Sequence, residues 1–148
     1  MIELTIIHQS DVWDEVPLLC KPVIELTFAQ AAIDGKNKAI AVVFSDDEQV
    51  RELNREFRDK DAPTNVLSFE QEPNDEEWGD IIFAYETILR EAQEQGKDFS
   101  HHLTHLLVHG TLHLLGYDHT EDEEAEAMEA LEIHILSKLG IDNPYQKE

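Results

Sequence analysis

One domain that mixes four strands with five helices is the fold class the sequence predicts, and three observations predict it. The 148 residues match the length of a single domain. Short apolar or β-branched runs alternate with longer segments of helical periodicity. Glycine, proline and asparagine fall between those segments instead of gathering into a linker, and no stretch repeats. One domain over residues 1–148 is therefore expected.

Each element has its own justification. Residues 2–8 alternate and are rich in β-branched side chains, the pattern of a first strand. Pro17 and Pro22 punctuate the next stretch, and residues 23–33 read as a helix stopped by Asp34-Gly35. Residues 39–44 are a near-continuous apolar run suited to a buried second strand. Ser45 or Asp46 caps a helix through about Phe57, with Val50, Leu53 and Phe57 on one side. A Pro63-Thr64-Asn65 turn precedes the third strand, residues 66–69. Residues 70–77 are acidic and carry Pro73, Asn74 and Asp75, which predicts a mobile loop. The fourth strand covers 81–85, and a helix runs from Glu86 to about Gln95, ending at Gly96. Asp98 or Ser100 opens a helix to Leu115, stopped by Gly116. Thr120 and Glu123 have capping-box spacing for a last helix. Its apolar face is Met128, Leu131, Ile135 and Leu139, and Gly140 ends it.

Composition narrows the function classes. Eleven basic residues against 33 acidic ones give a net charge of −22, which disfavours non-specific attachment to nucleic acid or anionic lipid. The single cysteine, Cys20, excludes an intramolecular disulfide and any multi-cysteine metal site, and no chemistry is assigned to it. The first residues lack the basic segment and apolar core of a signal peptide, and the longest apolar run is far short of a membrane span. A soluble, cytoplasmic protein with no membrane partner is expected.

Chemistry concentrates in residues 109–119, HGTLHLLGYDH. His109 and His113 are four residues apart, so a helix presents both imidazoles on one face. Gly116 can take the left-handed conformation that ends a helix and turns the chain back, which brings His119 toward the same point. Three neutral imidazoles with a fourth position for water form a zinc tripod, and the spacing is that of the metzincins. Nickel or another divalent ion suits the same ligands. A helix that merely carries exposed histidines is the plainer alternative. His105, one turn earlier, is either a substrate or supporting contact or an ordinary packed histidine. His101 and His102 are expected at the surface, and His8 and His134 have no company. Asp118 either orients a ligand or caps the turn. Zinc peptidases of this kind place a glutamate directly after the first histidine; Gly110 stands there, which disfavours peptide hydrolysis.

These residues resemble the signature of the YbeY family of bacterial ribosomal-RNA maturation factors, metal-dependent endoribonucleases. A second block, residues 54–69 (NREFRDKDAPTNVLSF), and a short third one, Gly79-Asp80-Ile81, also match in order and spacing. The family often has aspartate where this chain has Asn65. The resemblance implies an α+β domain with a small mixed four-stranded sheet, about five helices and a zincin-like metal helix. It implies one zinc per chain on His109, His113 and His119, and action on single-stranded RNA near the ribosome. It also marks Arg58 as a catalytic residue, and a guanidinium suits a phosphate through two parallel hydrogen bonds. Arg51, Arg55 and Arg58 fall on one helical stripe with Lys60 close behind, so Arg51, Arg55, Lys60 and His105 are candidate substrate contacts. Pairing with Glu48, Glu52 and Asp59 is the bland alternative for the stripe. The acidic segment 121–132 is expected to be a solvated helix face.

The first functional expectation is a zinc-dependent endoribonuclease of ribosomal-RNA (16S 3′ end) processing, with small-subunit ribosomal proteins or assembly factors as partners. The second is an assembly factor with a mainly structural metal, and the third a zinc peptidase.

Overall fold

A computed structural model of the chain describes residues 3–9, 20–31, 39–58, 64–74, 77–115, 117, 121–141 and 143–145. In chain order the elements are β1 (Glu3–His8), α1 (Cys20–Gln30), β2 (Ala39–Ser45), α2 (Asp47–Arg58) and β3 (Val66–Asn74). After these come β4 (Glu77–Ala84), α3 (Tyr85–Gln95), α4 (Phe99–Leu114) and α5 (Asp122–Lys138). Among the described residues one four-stranded sheet, in the order β1-β2-β4-β3, carries five helices, an α+β arrangement. β1, β2 and β4 run parallel and β3 pairs antiparallel with β4, which makes the sheet mixed as expected.

Side-chain alternation along the central strands assigns the helices to two faces. Ile40, Val42 and Phe44 of β2 and Ile81 and Phe83 of β4 join the larger core with α1, α4 and α5. Val43, Ile82 and Ala84 point the other way and cluster with Val50 of α2 and Leu67. α4 therefore lies in the larger core, anchored by the fully buried Leu103, Leu107 and Leu112. Each such side chain contributes about 1.5–3 kcal/mol relative to exposure. That anchoring fixes the rotation of α4 and hence where its histidines point.

Local signals explain the helix ends. The Asp46 carboxylate accepts from the Gln49 amide at 2.9 Å, so Asp46 is the cap of α2. Gly96 ends α3 at φ 64°, and Asp98 caps α4 by accepting from the His101 amide. α5 starts at Asp122 with Glu121 as its cap residue and no side-chain cap bond; Thr120 lies outside the described residues. The expected stops at Asp34-Gly35 and Gly116 also lie outside them.

Three expectations are corrected. The loop expected over residues 70–77 is strand at both ends, because β3 continues to Asn74 and β4 begins at Glu77, with Asn74 paired to Glu77; residues 75 and 76 lie outside the described residues. Tyr85 opens α3 instead of closing β4, and its ring packs on Phe99 at a centroid distance of 5.5 Å. α1 begins at Cys20, and Pro22 sits in its first turn, where a missing N–H leaves no intrahelical bond unmade.

Candidate metal centre

Spacing along α4 aligns four imidazoles in one stripe: His102, His105, His109 and His113. Successive ring centroids are 6.4, 6.3 and 4.5 Å apart, so the last two rings are much the closest. Their Nε2 atoms approach to 2.9 Å.

The partners of the other nitrogens fix the tautomers. His113 Nδ1 lies 3.0 Å from the Tyr117 carbonyl oxygen, which only accepts, so Nδ1 carries the proton. His109 Nδ1 lies 2.6 Å from Glu132 Oε1, again an acceptor when ionised. With both Nδ1 atoms protonated, Nε2 is the basic nitrogen of each ring, and the two basic nitrogens lie side by side. Two basic ring nitrogens this close can share a proton or serve one common cation. Carboxylate and carbonyl anchors behind metal-binding histidines are the usual means of holding tautomer and ring orientation.

Glu132 organises the site from within. It is fully buried on α5 and also receives the His105 Nε2–H at 2.8 Å and the Tyr145 hydroxyl. Burial alone would push its carboxyl up, but the hydrogen bonds from His105, His109 and Tyr145 outweigh that and hold it at about 2. Burial and the facing Glu132 push the Tyr145 hydroxyl well above its ordinary range, so it stays a donor. The expectation of a solvated acidic face on residues 121–132 is therefore wrong at Glu132. The signal was available: Met128, Glu132 and Leu136 are four apart, which sets the acid within the apolar stripe.

Gly110 lets α4 approach the sheet. A Cβ there would meet Ser68 Oγ at 3.1 Å and Ile81 Cγ2 at 3.2 Å, and the Ser68 hydroxyl donates to the Gly110 carbonyl. A glutamate has no room at this position, which gives the missing peptidase base a packing reason.

An open groove of about 1170 Å³ is lined by His109, His105, the C-terminal end of α3 and Tyr145, whose ring packs edge-on against His105. His102 lies in this groove wall and is buried, correcting its expected place at the surface. Its Nε2 lies 3.0 Å from Glu91 Oε1, and burial lowers its pKa while Glu91 partly opposes that. His105 also lines the groove. Arg51 and Arg55 are exposed on α2, which packs on the sheet face opposite α4, and neither is among the described residues that line the groove. Arg58 is the last residue of α2, and Lys60, Asp118 and His119 lie outside the described residues. Among the described residues no three His, Cys, Asp or Glu side chains gather around one point, and His109 and His113 are the closest pair of rings on the stripe. Cys20 is buried and its thiol is pushed up to about 11 by that burial, in keeping with a residue of no chemistry. No helix among the described residues is long and apolar enough to cross a membrane.

Fold and site together define an α+β domain whose buried helix presents an anchored histidine pair at one end of a polar groove. The profile of the family described as Endoribonuclease YbeY matches residues 7–140. The chain belongs to that family. A protein from Sinorhizobium fredii named Endoribonuclease YbeY is 48% identical over 89% of this chain and 83% of its own. Another of that name from Azorhizobium caulinodans is 44% identical over 97% of this chain and 96% of its own. The solution structure of a Thermotoga maritima protein shares the fold at a TM-score of 0.59 and 22% identity, covering 99% of this chain and 100% of that one.

Proposed function

We propose that this protein is a metal-dependent endoribonuclease that cuts single-stranded RNA during ribosomal-RNA maturation, at the 16S 3′ end. The observation that carries the reading is the close approach of Nε2 of His109 and Nε2 of His113, each ring anchored from behind at Nδ1. The donor set fits a borderline divalent ion: two neutral imidazoles with fixed tautomers, and His119 as the third ligand by the family signature. Zinc is the ion we assign, one per chain. When bound, such an ion polarises a phosphoryl oxygen and lowers the pKa of a water.

The chain's own groups do the rest. Glu132 keeps the proton on His109 Nδ1 and so keeps Nε2 available, while the Tyr117 carbonyl does the same for His113. Arg58 clamps the phosphate and stabilises the charge that grows on its oxygens in the transition state. The groove beside His109 receives the RNA strand, with His105 as a wall contact. A net charge of −22 makes unaided RNA affinity weak, so small-subunit ribosomal proteins or assembly factors deliver the substrate in the cytoplasm.

The test is cleavage of a single-stranded RNA by one preparation in three states: as purified, stripped with chelator, and restored with zinc. Activity lost on stripping and regained on restoration is expected. Product ends then distinguish attack by water from attack by the neighbouring 2′-hydroxyl, which leaves a cyclic phosphate. Undiminished cleavage by stripped protein would refute the reading, and no cleavage in any state would favour an assembly factor.

A further inference from the structure

Part of the groove lining comes from outside the helices, from the segment 143–145, to which the cleavage reading gives no task. Ile6, Ile7 and Tyr145 are the large apolar side chains left exposed among the described residues, and of these Tyr145 alone, at 41% exposure, lines the groove. We propose that the Tyr145 ring is a stacking platform for one unpaired nucleobase of the bound RNA, beside the histidine pair. The proposal rests on the ribonuclease reading and names a contact by which its groove holds a single strand.

The ring is held in place before any strand arrives. Its hydroxyl donates to the buried Glu132 carboxylate, and it meets the His105 ring at a centroid distance of 5.5 Å and an angle of 88°. The backbone is fixed too: the Tyr145 amide donates to Asn143 Oδ1 at 2.8 Å, and Lys97 Nζ donates to the Pro144 carbonyl at 3.2 Å. A perpendicular contact covers at most one face of the tyrosine, and the hydroxyl bond engages only its rim. The exposure that remains is surface for a flat partner. An aromatic ring already immobilised gives up little entropy on binding, so most of the stacking appears as affinity.

Charge makes a base, and not a phosphate, the guest here. Lys97 is the one lysine or arginine among the described residues that line the groove, and Glu91 and Asp98 stand in the same lining. Stacking does not need a positive wall, and every base has a π-face, so the contact tolerates any sequence. Paired bases are already stacked inside a duplex, whereas splayed single-stranded bases lie on aromatic side chains. The distance suits a strand engaged at the histidine pair. The His105 ring lies 5.5 Å from that of Tyr145 and 6.3 Å from that of His109. Tyr145 is therefore no more than about 12 Å from His109, within about four steps of about 3.4 Å per stacked base.

The test walks an abasic site through a short single-stranded RNA and follows binding to the full-length protein by fluorescence anisotropy. RNA integrity is checked after each titration, and melting temperature and metal content are measured for each variant. In the wild type, an abasic site at one position should weaken binding about 5–100-fold, whereas exchanging one base for another there changes little. Tyr145→Ala should lose a similar factor on the intact strand and become indifferent to the abasic site. Tyr145→Leu keeps bulk without a π-face and should show the same indifference if the alanine variant fails to fold. Tyr145→Phe keeps the ring and loses only the bond to Glu132, so it should stay sensitive to the abasic site. No sensitive position in the wild type, or a sensitivity that survives in folded Tyr145→Leu, overturns the proposal. Sensitivity lost in Tyr145→Phe overturns it in favour of a hydroxyl that only holds Glu132. RNA cleavage by a wild type with no sensitive position refutes the platform and leaves the ribonuclease reading standing. Coupling between Tyr145 and one base in a protein that cuts no RNA supports the platform and refutes that reading.

Discussion

Replacing Glu132 by glutamine tests how the site is held. The carboxylate is fully buried and serves His109, His105 and Tyr145 at once. Glutamine keeps one oxygen and turns an amine toward at least one of those donors. An unsatisfied buried donor costs about 1–3 kcal/mol, and the surviving bonds lose their charge assistance, worth about 1.5–3 kcal/mol each at full strength. The same hydrogen bonds hold the carboxyl at about 2, below its ordinary 4.5, which expresses the same stabilisation as about 3 kcal/mol at neutral pH. Glu132→Gln should therefore lose about 3 kcal/mol in urea unfolding of metal-stripped protein at pH 7. That is a midpoint shift of about 1–2 M for a slope near 2 kcal/mol per M. Metal affinity should fall about 10–100-fold as the His109 ring loses its anchor. The lowered pKa sets the sign with pH. The Glu132 contribution is present above 4.5 and is lost as pH falls from there toward about 2, so wild type and variant should converge in acid. An unchanged midpoint together with unchanged metal affinity would refute the anchoring role.

The same geometry carries further expectations. Arg58→Ala should keep fold and metal but lose about a hundredfold or more in cleavage rate, and Arg58→Lys should stay impaired because the planar fork is gone; full activity of a folded, metal-loaded variant removes Arg58 from the mechanism. Gly79→Ala should destabilise by about 2 kcal/mol or more by thermal melting, because its Cβ would lie 2.7 Å from Leu114 Cδ2 and closer still to the Phe69 carbonyl oxygen; an unaltered melting temperature contradicts the packing. His102 folds as the neutral ring with its pKa lowered by burial, so its contribution is present above pH 6.5 and is lost as pH falls through the folded value. His102→Asn should flatten the mildly acidic slope of stability against pH, and an identical slope would deny the buried neutral state.

Much of this architecture was legible in the sequence because it rests on periodicity. The apolar run of β2, the Val50 stripe of α2 and the 109/113 spacing on α4 each needed only local pattern and appear where that pattern sets them. What escaped depends on distance along the chain. Glu91 and Asn65 are 26 residues apart and His105 and Tyr145 are 40 apart, and no local rule pairs them. Glu132 was hidden among neighbouring acids, although its register with Met128 and Leu136 marks it as inward-facing. The length of β3 was concealed by Pro73 and Asn74, whose turn chemistry the antiparallel pairing with β4 overrides. His102 shows the same limit, since only the packing of α3 against α4 buries it.

The paired imidazoles of His109 and His113 are the centre of the site, and elemental analysis of wild-type and His113→Ala protein tests their metal binding most directly. Close to one zinc per chain in the wild type is predicted, falling to a small fraction in the variant. Occupancy of the wild type should also fall as pH drops through about 6.5, since only neutral imidazole binds. Wild-type metal content in His113→Ala would contradict the assignment of this helix as the metal-binding element.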